Sequence, residues 1–283
     1  MPWELFAIIS IVTTSIAALL ERVLMKDDSS DPISFAIIFQ LLLGIVTWCF
    51  ALIFGKFILP HDSSVWFRYL ISAVLWAGAT VASLKAMKLL PVAEATIIGS
   101  SGTIISILFG VLFFKEKIVI STIFGTILIF SAILIVFSEN LSFKSKSGIF
   151  LALLSALFGA TAVINDMIIL KSYEAFSYTT IMSLLPGFVL LFIFPKHLFN
   201  SRNLFNKKML RTMVFLAIFY SIQAITYYLA IEQKAPISKL SPITKSSIIL
   251  TVLFGAIFLK ERSHVSKKIL AAVVVTLGVI LIG

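Results

Sequence analysis

The chain has 283 residues, of which 60% are hydrophobic and only 13% are charged, and its mean hydropathy is +1.09. A typical soluble domain is about 45–50% apolar and about 25% charged, so this composition excludes one or two ordinary soluble domains. The net charge of +10 does not indicate nucleic-acid binding, because Lys and Arg lie between apolar runs, where they orient a membrane protein and contact anionic lipid headgroups.

Ten apolar runs are about as long as the roughly 20 residues that a helix needs to cross a bilayer. Short breaks rich in turn-forming and charged residues separate them. The first run has no positively charged leader and is too long for the apolar part of a signal peptide, so we expect a spanning helix there. The sequence therefore predicts an all-α polytopic membrane protein with spans at Trp3–Leu24, Ile33–Phe54, Trp66–Met87, Val92–Phe114, Val119–Phe137, Gly148–Leu170, Phe176–Phe194, Met209–Ile231, Pro236–Leu259 and Val265–Ile282.

The two halves of the chain resemble each other at a shift of 145 residues. The run LFGVLFFKEK at Leu108–Lys117 aligns with LFGAIFLKER at Leu253–Arg262, and Pro91 aligns with Pro236. Five spans in each half place the second half upside down relative to the first, which is typical of secondary transporters. We expect the halves to be residues 1–140 and 147–283. Further matches pair Ser10, Ala17 and Glu21 with Ser155, Ala162 and Asp166.

An acidic residue closes the fourth and ninth runs, in Phe113–Lys117 and Phe258–Arg262. With ten spans and a five-plus-five repeat, the chain resembles the drug/metabolite transporter superfamily in its EamA-type branch. The resemblance covers nearly the whole chain and implies a ten-helix bundle around a central cavity, with spans five and ten at the periphery. It implies carrier function without ATP and leaves the substrate open. Many relatives have a proline within the fourth span, where this chain has Gly99–Gly102.

Lys245 lies in the middle of the ninth predicted span. A charged side chain there costs about 2.5–3.5 kcal/mol on insertion scales, so it needs a partner or a purpose. One interpretation is a cation that binds an anionic group of the substrate. The other is a structural lysine, paired with a buried acid or with carbonyls freed by Pro242.

Glu21 and Asp166 each end a helical face of small, weakly polar residues in the first and sixth spans. They are candidates for gating or proton coupling. The alternative is an acid near the helix end that pairs with Arg22 or Lys171.

Uncharged polar residues inside other spans are candidates for a hydrogen-bonding cavity wall, and each could instead bond between helices. The predicted substrate-binding set, with Lys245, is Gln40, Trp76, Asn165, Gln223 and Tyr227.

Two further features have structural interpretations. The small residues between Gly99 and Gly110 indicate close helix packing. Glu116 and Glu261, each flanked by basic residues, are expected to form ion pairs in loops.

No metal or cofactor is expected, because Cys49 is the only cysteine and the three histidines lie apart with no metal-binding spacing. No clustered nucleophile or acid–base pair supports an enzyme. A scaffold without transport would not require Lys245.

Two arguments about orientation disagree. Lys and Arg are more frequent in loops opposite the N-terminus, which favours an external N-terminus. The family resemblance implies that both ends are cytoplasmic.

The leading interpretation is a secondary active transporter of a small anionic or zwitterionic metabolite in the cell membrane. Its expected partners are that substrate, the lipid bilayer, and protons or another coupling ion. The alternative is a proton-coupled exporter of cationic compounds or drugs that uses Glu21 and Asp166.

Overall fold

The protein is described by a computed structural model, which is helical with no strand in the residues it describes. These are residues 2–25, 31–55, 57–90, 95, 98–137, 145–199, 207–258 and 265–282. Over these ranges the helices are α1 (Trp3–Met25), α2 (Pro32–Phe54), α3 (Ser63–Leu89), α4 (Ser101–Phe114), α5 (Ile120–Phe137), α6 (Lys146–Ile169), α7 (Ala175–Ile193), α8 (Pro195–Phe199), α9 (Lys207–Glu232), α10 (Ile237–Lys245), α11 (Ser247–Phe258) and α12 (Val265–Ile282).

Apart from the short α8, which lies in a predicted break, the helices occupy the predicted apolar runs, and their ends agree with the predictions to within three residues. The start of the fourth run is the exception, because residues 91–94, 96 and 97 lie outside the described part of the chain. By length and composition, α1, α2, α3, α6, α7 and α9 can cross a membrane, and α4, α5 and α12 contain shorter apolar stretches. The chain is therefore a multi-pass membrane protein, and the count of ten spans stays a prediction.

Short polar side chains begin several of the helices. The Asp31 carboxylate accepts a hydrogen bond from the Ser34 N–H at the start of α2, and Asp62 accepts one from the Ser64 N–H at the start of α3. The Ser145 hydroxyl accepts from the Gly148 N–H at the start of α6. Each contact satisfies a backbone donor that the helix itself leaves unpaired.

Helices pack in pairs across the two halves of the sequence, and the pairing repeats at the 145-residue shift. α3 packs along α6 as α1 packs along α9, while α2 packs on α7 and α5 on α12. The Ser10 hydroxyl donates to the Gln223 carbonyl at 3.3 Å, and the Ser155 hydroxyl donates to the Ala79 carbonyl at 2.9 Å. Each of the aligned serines thus donates to a carbonyl of the other half, and the two acceptors are one residue apart in the alignment.

Glycine allows α5 and α12 to approach closely. A Cβ atom on Gly278 would lie 2.8 Å from the carbonyl oxygen of Gly125, closer than side chains tolerate. Small residues of this kind let membrane helices bring their backbones together.

The ninth predicted span is interrupted. It consists of α10 and α11, with Ser246 between them, and Pro242 lies inside α10. Because proline has no N–H, the carbonyl of Ser238 loses its normal helical partner. At the aligned place in the first half, Ile98 and Gly99 are helical and α4 starts only after Ser100.

One end of the bundle is packed shut by a cluster of buried apolar side chains, which includes Tyr69, Ile169, Tyr178, Ile231 and Leu240. These residues come from α3, the end of α6, the start of α7, the end of α9, and α10. We call this the closed end.

Candidate functional site

A cavity of about 610 Å³ lies between helices of both halves. Its described lining residues belong to α1 to α4, α6, α7 and α9 to α11, with Ala95, Gly99 and Ser100 in addition, and none belongs to α5 or α12. Met182 and Tyr228 belong both to the lining and to the cluster of the closed end. Away from that end, the cavity reaches Glu21 and Tyr220, and Tyr220 is 37% exposed. The cavity therefore borders the closed end and extends from it toward the other end of α1.

Lys245 is the last residue of α10 and lines the cavity at the interruption of the ninth span. Within the described part of the chain, its ammonium group has no ion-pair or hydrogen-bond partner. The structural interpretation of this lysine was a pair with a buried acid or a bond to carbonyls freed by Pro242. Neither contact is found among the described residues. An ammonium group in this position is available to an anionic ligand.

Glu21 also lines the cavity, near the end of α1. Among the described residues its carboxylate accepts no hydrogen bond and forms no ion pair. The side chain of Arg22, the partner considered in the structural alternative, lies outside the described residues. The cavity is thus lined by an amine and a carboxyl side chain, and neither forms an ion pair within the described part of the chain.

Gln40, Gln223 and Tyr227 line the same cavity. Over the described residues, their side-chain polar atoms have no hydrogen-bond partner, so each could bond to a ligand. Trp76 lines the cavity too, but its indole N–H donates to Asp166 at 3.0 Å. Only the ring of Trp76 is therefore available to a ligand.

Asp166 lies outside the cavity, fully buried beside the closed end. Its carboxylate accepts hydrogen bonds from the Ser72 hydroxyl at 2.5 Å, the Trp76 indole at 3.0 Å and the Tyr228 hydroxyl at 2.9 Å. The predicted alternative, a pair with Lys171, is not formed, since that ammonium lies over the ring of Phe114. Asp166 instead joins α3 of the first half to α6 and α9 of the second.

Asn165 differs from the expectation, because it does not line the cavity. Its amide group donates to the Arg68 carbonyl and to the Ser72 hydroxyl, both at 2.8 Å. The side chain therefore braces α6 against α3, next to Asp166.

Two glutamates at the closed end accept hydrogen bonds from backbone N–H groups. Glu116 accepts from Ile237 and Ser238, and Glu232 accepts from Ala175. We expected Glu116 to form an ion pair in a loop, whereas its carboxylate binds these N–H groups. Glu261, which aligns with Glu116, lies outside the described residues.

The sequence analysis missed Ser72 and Tyr228 as partners of Asp166. No local pattern could have found them, because they lie 94 and 62 residues away along the chain.

No cluster of three or more His, Cys, Asp or Glu side chains that could hold a metal is found among the described residues.

The sequence matches the model of the EamA-like transporter family twice, over residues 1–138 and 146–283. The chain belongs to the EamA-like transporter family. This family consists of transporters and not enzymes, so the protein is a multi-pass membrane transporter.

A solved structure described as "Crystal structure of protein" is similar in fold to this EamA-like transporter. Its TM-score is 0.77 at 14% sequence identity, over 98% of this chain and 97% of that one. A comparison with curated proteins finds no match.

Proposed function

We propose that this EamA-like transporter is a secondary carrier of a small polar metabolite with an anionic or zwitterionic character. The observation that carries the proposal is the ammonium group of Lys245, which lines the cavity without a partner among the described residues. A buried charge without a counter-charge is unfavourable, so an anionic ligand group would relieve the cost.

In this proposal, Lys245 binds the negatively charged group of the substrate. Gln40, Gln223 and Tyr227 donate or accept hydrogen bonds to its other polar groups, and the ring of Trp76 forms an apolar wall. Charge-assisted bonds are about twice as strong as neutral ones, so Lys245 would dominate affinity while the uncharged groups select among anions.

The carrier would work by alternating access between two inverted halves of five spans each, residues 1–140 and 147–283. The contacts of Ser10 and Ser155 with the opposite halves support this arrangement, as does the helix pairing that repeats across the halves. Two copies of one unit in opposite orientation can exchange their conformations, which moves the opening from one end to the other. The described conformation, with one end shut, would be one of the two states.

Glu21 and Asp166 would serve as gating or proton-coupling carboxylates at opposite ends of the cavity. They align at the 145-residue shift, yet one faces the cavity and the other is buried in the closed end. This difference is what two equivalent residues would show if one gate were open and the other shut. Coupling to protons, or to another ion, belongs to this proposal.

The proposal is tested by removing the charge of Lys245. Purified protein is screened by thermal shift against amino acids, sugar phosphates, nucleotide sugars and quaternary amines. We expect an anionic or zwitterionic compound to stabilise the wild type, by about 2.7 kcal/mol at a hundredfold excess over Kd. Lys245→Met should lose this stabilisation, while Lys245→Arg should retain part of it.

Proteoliposomes that carry the same variants then measure uptake of the stabilising compound. Lys245→Met should be inactive but folded, with an unliganded Tm no lower than that of the wild type, because an unpaired buried charge has been removed. Unchanged uptake by Lys245→Met would reject the role of the lysine.

The alternative is a proton-coupled exporter of cationic compounds that uses Glu21, with Asp166 as its aligned partner. Glu21 faces the cavity without a hydrogen bond from the described residues, and the rings of Trp76, Tyr220 and Tyr227 could contact a cation. Stabilisation by quaternary amines that Glu21→Gln abolishes, and that Lys245→Met leaves intact, would favour this function.

A further inference from the structure

Glu116 connects the two halves of the chain at the closed end. It follows α4 by two residues, and its two carboxylate oxygens accept hydrogen bonds from the N–H groups of Ile237 at 2.8 Å and Ser238 at 2.9 Å. These are the first two residues of α10. A carboxylate that accepts from two N–H groups at a helix start gains from charge-assisted bonds and from the helix dipole.

Helix α10 has no cap of its own. The residue before it is Pro236, whose side chain has no acceptor, so this residue makes no capping bond to the first N–H groups of α10. The first N–H groups of a helix have no partner within it, so they need one from outside. The first half of the chain therefore supplies the cap for a helix of the second half.

The backbone around Glu116 is shaped for this contact. Lys115 adopts a left-handed conformation, with φ of 54°, which ends α4 and turns the chain. The Glu116 N–H then bonds back to the Gly110 carbonyl at 3.3 Å. A Cβ atom on Gly110 would lie 2.8 Å from a carboxylate oxygen of Glu116 and 2.7 Å from a methyl group of Ile237, so only glycine leaves room.

The capped helix links the closed end to the cavity. Ile237 and Leu240 are fully buried, with Leu240 in the cluster of the closed end, and the last residue of α10 is Lys245. The capped start of α10 and Lys245 thus lie at the two ends of one nine-residue helix.

We propose that Glu116 is the latch that holds the two halves together at the closed end, and that it must release Ile237 and Ser238 each time this end opens. The inference rests on the proposed alternating access. In this proposal, Glu116, the acid that closes the fourth run, holds the closed conformation and positions α10, the helix that carries Lys245.

The test follows the accessibility of single cysteines to a membrane-impermeant maleimide. The native Cys49 is first replaced by alanine, and one cysteine is introduced on α3. Ala73→Cys reports the closed end, since Ala73 is fully buried and lies about one turn beyond Trp76 in that direction. Ser83→Cys reports the cavity from the other side, because Ser83 lines it. Both proteins are reconstituted in liposomes.

Glu116→Gln replaces one carboxylate oxygen with an NH₂ group, which cannot accept from a backbone N–H. We expect the labelling rate of Ala73→Cys to rise about tenfold, the effect of losing one charge-assisted bond. The rate at Ser83→Cys should fall. Glu232→Gln is the matched control, because Glu232 caps α7 at the same end but within the second half, and it should leave the Ala73→Cys rate unchanged.

The outcomes separate the latch from the carrier mechanism. If Ala73→Cys reacts slowly in the wild type and Glu116→Gln does not accelerate it, or if Glu232→Gln accelerates it equally, the latch is rejected while alternating access stands. If Ala73→Cys never reacts in any variant, alternating access itself is contradicted. Should Glu116→Gln fail to fold, Gly110→Ala displaces the same carboxylate and must give the same acceleration.

Discussion

Asp166 and Glu21 align in the two halves but have opposite surroundings. Asp166 accepts three hydrogen bonds in a fully buried position, whereas Glu21 accepts none from the described residues. Acidic residues at aligned places of the repeat can therefore be held by hydrogen bonds in one half and face a cavity in the other. The carboxylate positions were predictable from spacing, but the donors around Asp166 were not, since they come from other helices.

This contrast predicts different effects of neutralising the two acids. Asp166→Asn keeps one oxygen, so either the hydroxyl of Ser72 or the donors Trp76 and Tyr228 lose their acceptor, and the protein should be destabilised by about 1–3 kcal/mol, or several degrees of Tm. Glu21→Gln should change the Tm by much less. The Tm of each purified variant without ligand checks this, and equal shifts would mean that the buried network contributes nothing to stability.

At the residue scale, Asp31 gives a prediction that depends on pH. Its carboxylate accepts from the Ser34 N–H at 3.1 Å, from the Ser34 hydroxyl at 2.6 Å, and contacts Nδ1 of His197 at 2.6 Å. Burial alone would raise the pKa of Asp31, but the hydrogen bonds from Ser34 and His197 outweigh it and lower this pKa below its ordinary value. The carboxylate therefore stabilises the fold above about pH 4, the pKa of an unfolded aspartate.

We expect Asp31→Asn to lower the Tm at pH 7, and the difference from wild type to shrink as the pH falls below about 4, through the folded pKa. Asp62→Asn is the comparison, because hydrogen bonds from Ser64 also lower the pKa of Asp62, but Asp62 is exposed and has no histidine partner, so the same pH trend should be smaller. A Tm difference for Asp31→Asn that stays constant down to about pH 3, below the unfolded pKa, would contradict the assigned contact.

At the scale of helices, the sequence predicted where the helices lie, but it did not predict where the ninth span is interrupted. The apolar runs and the polar caps place the ends of α1 and α12 within one residue. The break at Ser246 gives no signal in hydropathy, and the neighbouring Pro242 indicates only that the helix is weakened there. Interruption of the ninth span depends on which backbone groups find partners in the folded bundle, and local sequence does not contain that information.

Two glycines are expected to respond oppositely to replacement by alanine, because Gly278 lies in the close contact between α5 and α12 and Gly99 does not. Gly278→Ala should lower the Tm, because its Cβ would overlap the Gly125 carbonyl and overpacking costs about 1–3 kcal/mol. Gly99→Ala should leave the Tm unchanged or raise it, since nothing lies within 4 Å of that Cβ and alanine favours the helix. Thermal unfolding in detergent measures both, and a stable Gly278→Ala protein would argue against the close approach.

At the scale of the whole molecule, the repeat predicted the fold but not its asymmetry. The donors to Asp166 are Ser72, Trp76 and Tyr228, and the residues aligned with them around Glu21 are Ala217, Ser221 and Ser83. The surroundings of Glu21 thus lack both aromatic donors. In the proposed alternating access, a shut gate around Glu21 would be held by fewer hydrogen bonds, which favours the described conformation as the more stable of the two.

The hydrogen bonds between Glu116 and the start of α10 constrain the sequence unequally at their two ends. Their acceptor is one side chain, but their donors are main-chain groups that almost every amino acid supplies. Residues 237 and 238 can therefore vary freely in this respect, with proline as the exception because it has no N–H. Proline is frequent at the first position of a helix. We therefore expect a saturation library at position 237 to show that proline is harmful there, although this is the first position of a helix.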